Sequence, residues 1–95
     1  LDFGCRYGGY CSDLTRTYAF GSISGAWFDD VYHLTLTAQT RALESIRPGM
    51  SGKDVDAVAR DIIAAAGHGP HFGHGLGHGV GIEIHEAPRL NKESE

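Results

Sequence analysis

The chain has 95 residues, a net charge of −4 with neutral histidines and 41% hydrophobic residues, which bounds it to one small soluble-type domain at most. No lysine or arginine cluster tracks a nucleic acid, no apolar run is long enough to span a membrane, and no signal peptide or lipidation motif is present. A chain of this size buries only about 60–65% of its unfolded surface, so its own core is small.

Residues 1–20 read as a hairpin. Tyr7-Gly8-Gly9-Tyr10 is a turn signal, because two glycines supply the positive φ angles of a two-residue loop. With Gly8-Gly9 as the loop, Tyr7 faces Tyr10, Arg6 faces Cys11, Gly4 faces Asp13 and Asp2 faces Thr15. Asp2 and Asp13 then share a face as diagonal neighbours, roughly 7–8 Å apart at the backbone, over the open position at Gly4. Two close carboxylates repel unless a cation or a proton lies between them. Two solvated strand aspartates are the plain alternative. Cys5 and Cys11 point to opposite faces of such a hairpin, which predicts free thiols and a reducing, cytoplasmic compartment.

Two helices follow, over 26–47 and 52–66. Ser24 is the expected N-cap of the first, Asp29 and Asp30 lie in its first turn, and Pro48-Gly49 ends it. The aromatic trio Trp27, Phe28 and Tyr32 is expected in the core, with the wall of a substrate pocket as the alternative. The second helix opens on a capping sequence at Ser51 and closes at Gly67. Val55, Val58, Ala59, Ile62, Ile63 and Ala66 form its apolar stripe. Arg41, Glu44, Arg60 and Asp61 are expected on solvated faces, and His33 is assigned no role.

The region 67–90 holds His68, His71, His74, His78 and His85 among closely spaced glycines. Imidazole is a common metal ligand and a frequent general base, and glycine admits close backbone approach. From Val80 the pattern alternates: Val80, Ile82 and Ile84 against Gly81, Glu83 and His85, the signature of a half-buried strand. Three readings compete. A His/Gly storage tract lacks such a strand pattern. A structural zinc site wants cysteine pairs that Cys5 and Cys11 do not form. A catalytic metal site combines hairpin carboxylates with histidine, and mixed Asp/His sites suit Mn, Fe, Co or Zn.

Two segments together resemble a known family. Asp2-x-Gly4, followed by Gly9-Tyr10-x-Ser12-Asp13-x-Thr15-Arg16-Thr17, is similar to the metal-binding hairpin of the pita-bread metallopeptidases. His74-Gly75-x-Gly77-His78-Gly79-Val80-Gly81, followed by Ile84-His85-Glu86-x-Pro88, resembles their second signature, in the Xaa-Pro dipeptidase (prolidase) and aminopeptidase P branch. The resemblance implies an α/β (α+β) fold: a curved antiparallel sheet with the helices on its convex face, about half of the catalytic domain lying within 1–95.

It further implies Asp2, Asp13 and His78 as metal ligands, and His85 as the group that contacts substrate and stabilises the tetrahedral intermediate. His74 would handle a proton on the substrate side. His68 and His71 match no family site. Two further glutamate ligands are implied, and Glu83, Glu86, Glu93 and Glu95 do not stand where they belong. With chain ends that lie in a predicted strand and a polar loop, this leads us to expect an internal piece of a longer protein, one inactive alone and prone to self-association at its uncovered sheet edge. The implied activity is hydrolysis of the peptide bond before proline by a hydroxide held between two divalent metal ions, Mn before Co, Fe or Zn. The implied partners are a peptide with proline second and a second copy of the protein, with no nucleic acid and no membrane. Methionine aminopeptidase, or a catalytically inactive binding relative, is the rival reading.

Overall fold

The computed structural model describes residues 1–95. Its first element is the hairpin, in the register that the Gly8-Gly9 loop dictates. Strands β1 (Asp2–Phe3) and β4 (Leu14–Thr15) pair antiparallel, Asp2 opposite Thr15, and β2 (Arg6–Tyr7) pairs with β3 (Tyr10–Cys11), Tyr7 opposite Tyr10. Gly8 and Gly9 have φ angles of 58° and 86°, which side chains rarely adopt. The ladder is interrupted between these pairs, because Gly4 and Ser12 touch backbone to backbone. A Cβ on Gly4 would collide with the Ser12 carbonyl oxygen. The open position expected at Gly4 is therefore filled, by main chain. Cys5 N–H donates to the Ser12 hydroxyl in place of its carbonyl, at 3.1 Å.

Helix α1 (Trp27–Ser45) and helix α2 (Gly52–Ala65) form the second layer. Ala26, with no side-chain bond, is the N-cap of α1, so Ser24 is not its cap. At α2 the Ser51 hydroxyl accepts from the Asp54 amide at 3.1 Å, as the capping pattern predicts. The far end of α2 closes on Gly67 at φ 85°. Gly67 N–H donates to Ala64 C=O and His68 N–H to Ile63 C=O, the paired bonds of a Schellman ending.

The helices meet through small residues. Ala38 and Ala42 of α1 pack on Ala59 of α2, with Val58, Ile62, Ile63 and Leu76 around them. The larger apolar residues of α1 do not join this contact: Leu43 is 71% exposed and Trp27 62%. The expected core aromatics instead line a groove of about 810 Å³, with Trp27, Phe28 and Tyr32 on one wall and Thr15, Phe72 and His74 among the others. Five of the 95 residues are buried, and the radius of gyration is 15.0 Å, against about 12 Å for a compact domain of this length. No helix is long and apolar enough to cross a membrane.

After α2 the chain makes a 3-10 turn (Gly69–His71) and then strand β5 (Gly77–Gly79), which pairs antiparallel with β6 (Glu86–Leu90). The strand expected over 80–85 does not form. Val80, Ile82 and Ile84 stand in a bent loop and are at least 41% exposed. The loop wraps around one side chain: the Glu86 carboxylate accepts from the Glu83 amide at 3.2 Å and occupies the space a Cβ on Gly81 would need. The alternation of Val80, Ile82 and Ile84 thus has no ladder partner, and His85 does not share a strand face with Glu83.

The loop is tied back to the hairpin. Cys11 N–H donates to Gly81 C=O at 2.7 Å, and the Cys11 thiol and Arg6 guanidinium both reach Ile82 C=O. Cys5 turns the other way, its sulfur 3.5 Å from the Ser12 hydroxyl.

Candidate metal centre

The hairpin and the β5–β6 region converge on three side chains. Asp13 leaves the hairpin where its ladder is interrupted. His78 sits in β5 beside the β-bulge that breaks the β5–β6 register between His78 and Gly79. Bulges re-aim side chains, and here Gly79 has no room for a Cβ against the Ala87 carbonyl. His85 comes from the loop around Glu86. One ligand atom from each of Asp13, His78 and His85 lies within 4.8 Å of the other two.

The hydrogen bonds fix the chemistry of this cluster. His78 Nδ1 lies 2.9 Å from Gly79 C=O. A carbonyl only accepts, so Nδ1 carries the proton, and in the neutral ring the lone pair is on Nε2. That Nε2 faces Asp13 Oδ2 at 3.3 Å, with both side chains about one quarter exposed. An ionised carboxylate is also an acceptor only. Two acceptors face each other, and only a proton or a cation between them makes the contact attractive. One carboxylate and two imidazoles are a donor set suited to Mn, Fe, Co or Zn, and the Gly79 carbonyl is the outer partner that orients such a histidine.

The other two expected site residues lie elsewhere. Asp2 is outside the cluster, and its Oδ1 accepts from the Thr15 hydroxyl at 3.0 Å across the ladder. His74 is exposed on the groove between the hairpin and α1. Its Nδ1 donates to Gly75 C=O at 2.7 Å, which leaves Nε2 as the acceptor. His68 and His71 meet each other, Nδ1 to Nδ1 at 3.0 Å.

A family model, metallopeptidase family M24, matches residues 1–95. The chain belongs to metallopeptidase family M24. It is 50% identical over 94 residues to an uncharacterised peptidase, YqhT, of Bacillus subtilis, covering 99% of this chain and 26% of that protein. It superposes on the prolidase from Pyrococcus furiosus with a TM-score of 0.93 at 47% identity, covering 99% of this chain and 28% of that one. The X-Pro aminopeptidase from Thermotoga maritima gives 0.90 at 43% identity, over 98% of this chain and 26% of that one. The chain thus spans about a quarter of the length of the M24 relatives it matches. Its hairpin, helix pair and β5–β6 ladder are part of the pita-bread fold.

One polar cluster of this M24 chain escaped the sequence reading. Asp56, on α2, is fully buried. Arg60, one turn on, holds it with two bonds, Nε to Oδ2 at 2.6 Å and Nη2 to Oδ1 at 3.0 Å. Burial raises the Asp56 carboxyl, but the Arg60 bonds, the Leu76 amide and the nearby Arg60 and Lys92 charges outweigh it and hold it below its ordinary value. Arg60 is therefore not on a solvated face, whereas Arg41 and Glu44 are, 3.6 Å apart and more than 60% exposed. A signal was available. Asp56 and Arg60 have i, i+4 spacing, and on a helical wheel Asp56 falls only roughly 20° from Ile63, at the margin of the apolar stripe.

Proposed function

We propose that this chain supplies part of the metal centre of an M24 peptidase that hydrolyses the peptide bond before proline. The observation that carries the reading is the pair of acceptors, Asp13 Oδ2 and His78 Nε2, held 3.3 Å apart with the His78 proton committed to Gly79. Asp13 and His78 would hold metal, joined by Asp2 and by two glutamates from the remainder of the protein. A pair of divalent ions bound there, Mn first among the candidates, supplies Lewis-acid polarisation of the scissile carbonyl and an acidified water.

The residues of this chain do the rest. His85, beside His78 with ring centroids 4.3 Å apart, donates a hydrogen bond to the oxygen that becomes negative. His74, with Nε2 free, accepts a proton on the substrate side and passes it toward the leaving proline nitrogen. The groove lined by Trp27, Phe28, Tyr32 and His74 offers an apolar wall for the substrate. The relatives named prolidase, Xaa-Pro dipeptidase and X-Pro aminopeptidase support the proline-directed branch over methionine aminopeptidase. A homodimer in a reducing, cytoplasmic setting completes the proposal.

The test uses the product of the complete reading frame, assayed with Mn²⁺ and with chelator on an Xaa-Pro dipeptide and a longer Xaa-Pro peptide. Chelator-sensitive cleavage is expected, and the preferred length separates dipeptidase from aminopeptidase. Folded, metal-loaded protein that cleaves neither peptide overturns the substrate assignment.

A further inference from the structure

Residues 72–76 carry His74 into the groove, yet they belong to no helix or strand. A loop of this kind, rich in glycine, holds a catalytic side chain in place only if something fixes its backbone. Here the fixing groups come from α2. Arg60 Nη1 donates to Phe72 C=O at 2.9 Å, and Arg60 Nη2 donates to His74 C=O at 2.8 Å. Leu76 N–H donates to Asp56 Oδ1 at 2.9 Å. Three alternate residues of the loop thus turn a backbone group toward one buried ion pair.

A second route runs through the side chains. The Arg60 guanidinium lies 4.2 Å above the Phe72 ring centroid, and the Phe72 ring meets the His74 ring edge-on at 5.2 Å. The loop is also backed by the end of β6, where a Cβ on Gly75 would come within 2.8 Å of Leu90 C=O. The loop thus contacts both α2 and β6, and the guanidinium touches both the carbonyl of His74 and the ring on which its imidazole rests.

We propose that Asp56 and Arg60 are positioning residues that set the place of the His74 imidazole in the groove. The proposal rests on the reading of His74 as a substrate-side group given above. Asp56 orients the guanidinium through its two carboxylate oxygens, and Arg60 fixes the loop. Lysine in place of Arg60 keeps the charge but loses the planar fork, and its three N–H donors cannot make the four bonds that the guanidinium makes to two carboxylate oxygens and two carbonyls.

The test is a double-mutant cycle in the complete metal-loaded enzyme: Arg60→Lys, His74→Ala and both together, on an Xaa-Pro dipeptide. Arg60→Lys should lower kcat on the order of 10- to 100-fold, the scale of a small displacement of a reacting group. Metal content should stay unchanged. In the His74→Ala background the same substitution should change kcat less than about twofold, since residues that act as a unit are not additive. An undiminished effect in that background overturns the proposal. A second readout needs no turnover: with labelled histidine, Arg60→Lys should move the His74 imidazole resonances and leave those of His85 in place. Unmoved His74 resonances in folded protein overturn the proposal even where the enzyme is active. Moved resonances in a protein that cleaves no Xaa-Pro peptide uphold the positioning and refute the substrate assignment instead. If Arg60→Lys yields no folded protein, Asp56→Asn passes through the same cycle and is judged by the same two criteria.

Discussion

Two acid–base clusters of this chain could hardly differ more. At Asp56–Arg60 every acceptor meets a donor: the carboxylate takes two guanidinium bonds and the Leu76 amide, the guanidinium goes on to two carbonyls, and Asp56 is sealed from water. At Asp13–His78 an acceptor faces an acceptor in a partly open position. The first cluster is complete within the chain and holds structure. The second is open, and only a proton or a cation between its two acceptors closes it. Closeness of charged groups does not separate scaffold from site; the count of donors against acceptors does.

The most direct way to break that contrast is to remove the open pair. In the complete protein, Asp13→Ala or His78→Ala should take metal content and peptidase activity to background, read by metal analysis and turnover on the same sample. Retained metal in either variant would refute the assignment. Breaking the closed pair should lower stability and leave metal content unchanged. Asp56→Ala leaves the guanidinium partly buried without its partner and should cost about 3–5 kcal/mol, seen as a lower denaturant midpoint.

The same pair has an acid signature. The folded Asp56 carboxyl lies below its ordinary value of 3.8. Its contribution is therefore fully present above that value and is lost as pH falls through the lower folded one. Asp56→Asn should flatten this part of the acid unfolding curve. Stability that rises on acidification below pH 4 would contradict the direction.

His85 sharpens the comparison from within the open cluster. As an oxyanion donor, His85→Ala should lower kcat about 10²- to 10³-fold and leave metal content nearly intact. Loss of metal would make it a ligand. At the small end, the exposed Arg41–Glu44 pair offers a control. Arg41→Ala should change stability by about 0.5 kcal/mol or less, because solvent screens such a pair.

The sequence by itself determined what short-range rules govern. Gly8-Gly9 set the loop, and with it the register from Asp2–Thr15 to Tyr7–Tyr10. Ser51 and Gly67 set the two ends of α2. The two signatures that contain Asp13 and His78 were also legible, through their resemblance to the metallopeptidase family to which the chain belongs. Tertiary structure alone decided which polar groups meet. Asp2 and Asp13 share a hairpin, yet the backbone contact at Gly4 and Ser12 interrupts the ladder between them, and only Asp13 joins His78 and His85. His74 and His78 are four residues apart, yet one faces the groove and the other the Asp13 cluster. The alternating run from Val80 read as a strand, but the Glu86 carboxylate took its amide and bent it. Arg60 read as a surface charge because its partners at Phe72 and His74 lie beyond the helix that carries it. Local propensity reaches a few residues along the chain. A hydrogen bond between distant segments exists only once packing has brought them within about 3 Å, and in this molecule those bonds assign the charged residues their roles.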